Sequence, residues 1–564
     1  MLGSSAYKAF ALAGAAVCLL QDGFAAATRR ALDTSATAID GKPFPPLLDA
    51  ELEDLAEGLE SGLFTSVDLV NAYVARILEV NSTLKMVAQI NPDALATAAD
   101  LDAARAKGIN HGPLHGIPIL IKNNIATKDK MDNTAGSYAL AGARVPEDST
   151  MAAKLRRAGA IILGKTNLSQ WANFRSSNSS SGWSALGGQT EGAYFPKQDP
   201  SGSSSGSGVA SSLGLALATL GTETDGSILS PSSLNNLVGI KPSVGLTSRH
   251  LVIPISSHQD TIGPMARTVK DAAYLLAAIA GADPNDNYTS AIPFPEHKIP
   301  DYVAACDYFS LAGARIGVPR NVITTIETIP GLTTAFNGAL DLFRAAGATV
   351  VDNITLPGYE PLRAGGYEQV VLNSDFVTDL KAYLAQLTVN PNNVTSLGDL
   401  LKFTQAYPLE QWPLRDTRRW ETALGYGHGN EAPEFWANYT TQLYYAGLLG
   451  VTGGLRNHSL DALVVPTSFA SMMPALIGSP VVTVPLGKMP ADTAVVKNQF
   501  GNLVSRAPNV PFGISFLGER FSEEKLIGLA YAFEQRTLVR KTVVPYLQPT
   551  AELADVVNKR MAKV

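Results

Sequence analysis

The chain has 564 residues, 46% of them hydrophobic and 17% charged, with a formal net charge of −6. Those proportions describe a globular protein with a large core, and an acidic balance without any basic cluster argues against a nucleic-acid partner. Seven scattered histidines with no His-Glu-x-x-His or paired His/Cys spacing argue against a metal centre, and no stretch of the body reaches the ~20 apolar residues of a membrane span.

In chain order, Lys8 precedes an apolar stretch over residues 9–20, and Ala25-Ala26-Ala27 follows. A positive end, a short apolar core and small residues at a cleavage site are the layout of a secretory signal peptide, here residues 1–27; an ordinary helix is the alternative. Residues 28–44 form an N-terminal segment in which Arg29-Arg30 offers a second, dibasic trimming site. With Cys18 inside the signal, the mature chain keeps only Cys306 and forms no intramolecular disulfide. Eight Asn-x-Ser/Thr sequons, at Asn81, Asn167, Asn178, Asn287, Asn353, Asn393, Asn438 and Asn457, fit a secreted glycoprotein. Asn167 and Asn178 lie near the motifs described below and read as structural rather than glycosylated.

Ser66 then reads as the cap of a helix, with Asp68 in its first turn and Val67, Val70, Val74, Ile77 and Leu78 at helical spacing. Gly116-Ile-Pro-Ile-Leu-Ile-Lys122 is a buried strand ending on a lysine. Asp148-Ser149-Thr150 caps a helix that stops at Gly159, and a strand over 160–164 leads into Lys165-Thr166-Asn167. A strand at 314–318, a helix over 332–346 with Phe336, Leu340 and Phe343 inward, and a strand at 348–351 repeat the pattern. Residues 359–445, with Trp412, Trp420, Trp436 and many tyrosines, break it; they read as helical packing for the core or as walls of a substrate pocket. Strands return at 460–465, 480–485 and 511–516. Strand–helix–strand order predicts one large α/β domain over 45–548, with a mixed, mainly parallel sheet covered by helices on both faces, and a C-terminal tail over 549–564.

Two small-residue runs carry the chemistry: Ser201-Gly-Ser-Ser-Ser-Gly-Ser-Gly208 and Gly221-Thr-Glu-Thr-Asp-Gly-Ser227. A flexible linker is one reading of the first, but apolar segments flank both. Gly202-Ser-Ser204-Ser-Gly206 matches the G-x-S-x-G elbow, yet an elbow needs a strand before it, and residues 195–201 read as a loop. Ser522-Glu-Glu-Lys525 has S-x-x-K spacing and reads more simply as a helix start. The remaining reading is a serine served by lysine: Lys122, at the end of an apolar strand, would be held neutral by burial. Alone it could equally be a surface lysine at a strand end.

Together, His115-Gly-Ile-Pro-Ile-Leu-Ile-Lys122, Pro200 to Gly208, Gly221 to Ile228, Val238-Gly-Ile-Lys-Pro-Ser243, Asp260-Thr-Ile-Gly-Pro-Met265, Asp461-Ala-Leu-Val-Val-Pro-Thr467 and Pro511-Phe-Gly-Ile-Ser-Phe516 resemble the amidase signature family in order and spacing. The resemblance covers roughly residues 45 to 545 and implies that family's fold. It implies a Ser-cisSer-Lys triad, with Ser227 as nucleophile, Ser203 as the serine of an unusual cis peptide bond and Lys122 as base. It also implies an oxyanion hole from the N–H groups of Thr224, Asp225, Gly226 and Ser227. Neither metal nor cofactor is implied. The expected substrate is a small-molecule or peptide amide, cleaved to the acid and ammonia or amine; an acyltransferase using the same acyl-enzyme is the alternative, and no oligomeric state follows. Two departures stand out. Asn123 replaces the acidic residue that commonly follows the lysine, which should ease loss of the lysine's proton. Glu223-Thr-Asp-Gly-Ser227 replaces Asp-Thr-Gly-Gly-Ser, a form similar to the branch holding bacterial peptide amidases and many fungal homologues.

Overall fold

Eleven strands, each rich in apolar residues, line up in one sheet. In chain order they are β1 (Val87–Ile90), β2 (Pro118–Lys122), β3 (Ile161–Thr166), β4 (Ala218–Glu223), β5 (Val238–Lys241), β6 (Thr261–Ala266), β7 (Arg315–Pro319), β8 (Thr349–Ile354), β9 (Ala462–Pro466), β10 (Val481–Lys488) and β11 (Pro511–Leu517). Their order across the sheet is β1-β3-β2-β4-β6-β5-β10-β11-β9-β7-β8. In this computed structural model, residues 44–562 are described; the expected signal peptide and its dibasic site lie outside the described residues. Every residue of β2, β3, β4, β5, β6, β9 and β11 is buried, so the sheet is covered on both faces, as the continuous apolar runs require.

The sheet is mixed as expected, but six of its ten strand pairs are antiparallel, the edge pair β1–β3 among them, so parallel pairing does not dominate. The pairs β2–β3, β2–β4, β7–β9 and β7–β8 are parallel. From β4 across to β9 every pairing is antiparallel. The reason lies in the connections. Helix-bearing crossovers join the parallel strands toward the ends, whereas in the centre β4 and β5 are joined through the helix Leu229–Leu234 but β6 is inserted between them, antiparallel to both.

Helix α1 (Ser66–Leu84) begins one residue earlier in its cap than the sequence suggests. Thr65 is the N-cap: its hydroxyl accepts from Asp68 N while Asp68 accepts from Thr65 N, so Ser66 is already inside the first turn. Helices α2 (Thr150–Arg157), α3 (Ser205–Ser212), α4 (Leu229–Leu234) and α5 (Leu332–Ala345) follow. Ser149 caps α2 as expected, and Ser522 stands at the N-cap position of the helix Glu523–Thr537, its hydroxyl donating to Glu519 O and not to the helix N–H groups.

The irregular stretch 359–445 is helical, including α6 (Tyr367–Leu384), α7 (Arg418–Gly425) and α8 (Pro433–Leu443). Leu372, Phe376, Leu380, Tyr383 and Trp420 of this stretch bury themselves against Ala135, Leu168, Trp171 and Phe174, forming a second core beside the main one. Trp412 and Trp436, by contrast, are exposed. The expected tail holds helix α9 (Leu553–Met561), which buries Leu553, Ala554 and Val557. Glu552 just before it accepts from Leu47 N and Arg76, while Arg560 pairs with Asp68 of α1. No helix among the described residues is long and apolar enough to cross a membrane. Of the two sequons read as structural, Asn167 is fully buried with its amide donating to Gly182 O, Gly188 O and Thr190 Oγ1, but Asn178 is exposed.

Candidate active site

Parallel strands β2 and β4 are neighbours, so their carboxyl ends open at the same edge. Lys122 is the last residue of β2, and residues 224–227 form the turn that leaves β4. Ligand sites in sheets of this kind gather at such carboxyl ends.

Lys122 is completely buried. Its Nζ donates to Ser203 Oγ at 2.8 Å, to Thr222 Oγ1 at 2.8 Å and to Thr222 O at 3.1 Å. All three acceptors are neutral. Burial therefore dominates and pushes the lysine down to about 7, against the weaker opposing pull of Asp260 and Glu223. Depression alone does not single it out. Burial also lowers Lys165 to about 7 and Lys241 to about 8. Lys165, however, donates to Ile125 O and Asn133 Oδ1, and Lys241 to Ser479 O. Of these three buried lysines, only Lys122 touches a serine hydroxyl. Asn123, next in sequence, turns away from it: its Oδ1 accepts from Thr134 N and Thr134 Oγ1.

The Ser/Gly block is no linker. The Gly202–Ser203 peptide bond is cis, and Ser203 O accepts from Ser169 N at 3.0 Å. A Cβ at Gly202 would stand 2.4 Å from Ser169 Oγ, and one at Gly206 would stand 2.3 Å from Met86 O, so both glycines are required by close approach. Ser204, the elbow candidate, is preceded by a loop, and its hydroxyl is fully buried. It donates to Thr222 O and accepts from Thr222 N, fastening α3 to β4. Its own N–H donates to Ser227 O at 3.2 Å, which draws the two small-residue runs together.

Ser227 retains 8% exposure, whereas Lys122, Ser203 and Ser204 have 1% or less. Ser227 Oγ has no hydrogen-bond partner among the described residues, so Lys122 and Ser203 are joined but the two hydroxyls are not. Glu223 Oε2 accepts from Ile228 N and Leu229 N, capping α4 and fixing the turn from behind. Thr224 Oγ1 donates to Asp260 Oδ1 at 2.5 Å, anchoring its front. Gly226 holds φ 80, the left-handed region suited to glycine. Between these anchors, the N–H groups of Thr224, Asp225, Gly226 and Ser227 donate to no protein acceptor among the described residues.

A family model described as Amidase matches residues 68–527. This chain belongs to the amidase family. It is accordingly a hydrolase of carbon–nitrogen bonds. An Arthroderma benhamiae protein named "Putative amidase" is 51% identical, over 96% of this chain and 94% of that one. The crystal structure of the peptide amidase from Stenotrophomonas maltophilia is 38% identical and superposes with a TM-score of 0.79, over 90% of this chain and 100% of that one. An amidase family protein from Bacillus anthracis is 30% identical with a TM-score of 0.78, over 88% of this chain and 93% of that one.

Several residues of this amidase site carry no signal that sequence reasoning used. Thr222 supplies two of the three lysine acceptors, yet it stands inside an apolar strand. Gln259 and Glu368 meet near the turn from positions 109 residues apart. Of the stretch 359–445 expected to pack the core or wall a pocket, Glu410, fully buried, reaches two earlier segments: it accepts from Ser137 Oγ, Tyr138 N, Gln170 Nε2 and Arg175 Nη1.

Proposed function

We propose that this amidase cleaves carboxylic amides through an acyl-enzyme on Ser227 Oγ. The observation that carries the reading is a neutral-capable lysine bonded to Ser203 beside four uncommitted N–H groups. Ser227 Oγ attacks the carbonyl carbon, and the carbonyl electron pair moves onto oxygen. The N–H groups of residues 224–227 stabilise that oxyanion. The Ser227 proton passes to Ser203 Oγ as Ser203 gives its own to neutral Lys122. The same path returns a proton to the leaving nitrogen as the carbon–nitrogen bond breaks. Water, deprotonated by the relay, then attacks the ester, and Ser227 leaves with a proton. The step requires Ser203 Oγ and Ser227 Oγ to come within hydrogen-bond distance, a contact that catalytic groups often tighten only around substrate.

Likeness to the peptide amidase supports a peptide or amino-acid carboxamide as the acyl part. The test is ammonia release from a panel of peptide amides and aliphatic and aromatic amides, with and without an added amine acceptor. Wild type should release ammonia and Ser227→Ala should not. Full turnover by Ser227→Ala would overturn the reading; amide formed with the acceptor in place of free acid would turn it into acyl transfer.

A further inference from the structure

The oxyanion turn is braced from one side by a residue of the helical segment. Gln259 Nε2 donates to Glu368 Oε1 at 3.0 Å and to Thr224 O at 3.4 Å, linking the first turn of α6 to the turn that leaves β4. The next residue of that turn brings a second acid. Asp225 Oδ1 is buried and has no hydrogen-bond partner among the described residues, and neither has Gln259 Oε1. The Asp225 and Glu368 carboxyl groups are close enough to act on one another; Ser471 is hydrogen-bonded to the Asp225 side chain, and among the described residues no cation is hydrogen-bonded to either acid.

The charges around them leave this imbalance standing. Arg419 of α7 draws Glu368 toward ionisation, but burial and the Asp225 carboxyl outweigh it and push Glu368 up to about 8. Arg419 itself is shared with Asp416 and makes no hydrogen bond to Glu368. On the other side, Ser471 and Lys241 favour the charged form of Asp225, while burial raises it. Two acids in such a setting do not both ionise readily.

We propose that Glu368 is a positioning residue for the amide hydrolysis described above: as a neutral acid it braces the oxyanion turn through Gln259, and its ionisation opposes the reaction. The role rests on the mechanism under Proposed function. A negative charge must develop on the substrate oxygen at the N–H groups of 224–227. The carboxyl groups of Glu223, Asp225 and Asp260 already stand around that turn, the first held by Ile228 N and Leu229 N and the last by Thr224 Oγ1. A further carboxylate at 368, in a site largely out of water, adds to the repulsion of the oxyanion and repels Asp225. A glutamine at 368 keeps an acceptor for Gln259 Nε2 and cannot ionise, so it separates the brace from the charge.

The experiment uses the full chain and its Glu368→Gln, Glu368→Ala, Ser227→Ala and Lys122→Arg variants, each first shown to melt cooperatively. Ammonia release from a peptide amide gives kcat and KM between pH 6 and 10, and the rate of Ser227 labelling by an alkyl fluorophosphonate reads the nucleophile without any choice of amide. Wild-type kcat/KM should rise through about pH 7 and fall above about pH 8, close to tenfold per unit well beyond it. Glu368→Gln should keep the rise and lose the fall, exceeding wild type by at least tenfold at the alkaline end. Glu368→Ala should lose about tenfold in kcat with little change in KM, a loss that glutamine restores. An unchanged alkaline fall in Glu368→Gln, or an alanine variant as active as the glutamine one, would overturn the role of Glu368 while leaving the Ser227 mechanism intact. Absence of Ser227 labelling and of ammonia release in the wild type would overturn both.

Discussion

Lys122 and Ser204 show how far a residue's surroundings decide what it does. Three buried lysines lose basicity for the same reason, yet one of them faces a hydroxyl that can pass a proton onward. Lys122→Arg should therefore abolish turnover across the whole pH range, because a guanidinium stays charged at any working pH. Amide turnover at several pH values checks this, and partial activity at high pH would sink the base assignment. Ser204 predicts the opposite outcome. Ser204→Ala strips a partner from both Thr222 N and Thr222 O, at a cost of about 1–3 kcal/mol, without touching a reacting atom. Thermal unfolding should register that loss while kcat at a permissive temperature stays within a few-fold of wild type; Ser203→Ala should invert the pattern.

Among the elements, the strands that carry chemistry were legible because their patterns are local. A run of apolar residues ending on Lys122 reads directly as a buried strand, and Glu223-Thr-Asp-Gly-Ser227 reads as a tight turn. The segment 359–445 was legible as helical packing but not in which residues turn inward, because its apolar residues face two ways: Trp420 goes into the second core and Trp436 to the surface. Pairing direction in the centre of the sheet was equally hidden, since it is set by long connections and not by any strand's own residues. The partnership of Gln259 with Glu368 had no trace in either neighbourhood. The Glu410 knot ties the same segment to residues 137–175. Arg175 and Glu410 form a buried ion pair at 2.9 Å, and removing one partner strands the other. Glu410→Ala should cost about 3–5 kcal/mol, measured by chemical denaturation. A loss below 1 kcal/mol would mean that the aromatic contacts alone hold the second core.

At the scale of the molecule, buried titratable groups couple stability to pH. Burial pushes Asp271 up to about 7, so the folded state keeps a proton that the unfolded chain has already lost above pH 4. Its contribution is fully present below the unfolded value and declines as pH rises toward 7. The buried lysines act in the other direction: between about 7 and 10.5 the unfolded chain holds protons that folded Lys122 and Lys165 lack, so stability gains as pH rises. Asp271→Asn should flatten the acid-to-neutral decline in melting temperature; an unaltered slope would refute the assignment. Expression through a secretory host is expected to put glycans on exposed sequons such as Asn287, Asn353, Asn393 and Asn457, and none on Asn167, whose amide is enclosed. Peptide mapping after deglycosylation reads this directly.

Strand order divides the sheet at a single seam, β5 against β10: every strand on one side comes from residues 87–266 and every strand on the other from 315–517. Lys122, Ser203, Thr222 and Ser227 all belong to the first set. Glu368, Glu410 and Trp420, which tie the helical segment to the rest of the chain, lie between β8 and β9. Chemistry and enclosure are thus written in consecutive stretches of the gene. On the proposed mechanism, substitutions within 359–445 should alter the choice of acyl group while labelling of Ser227 persists.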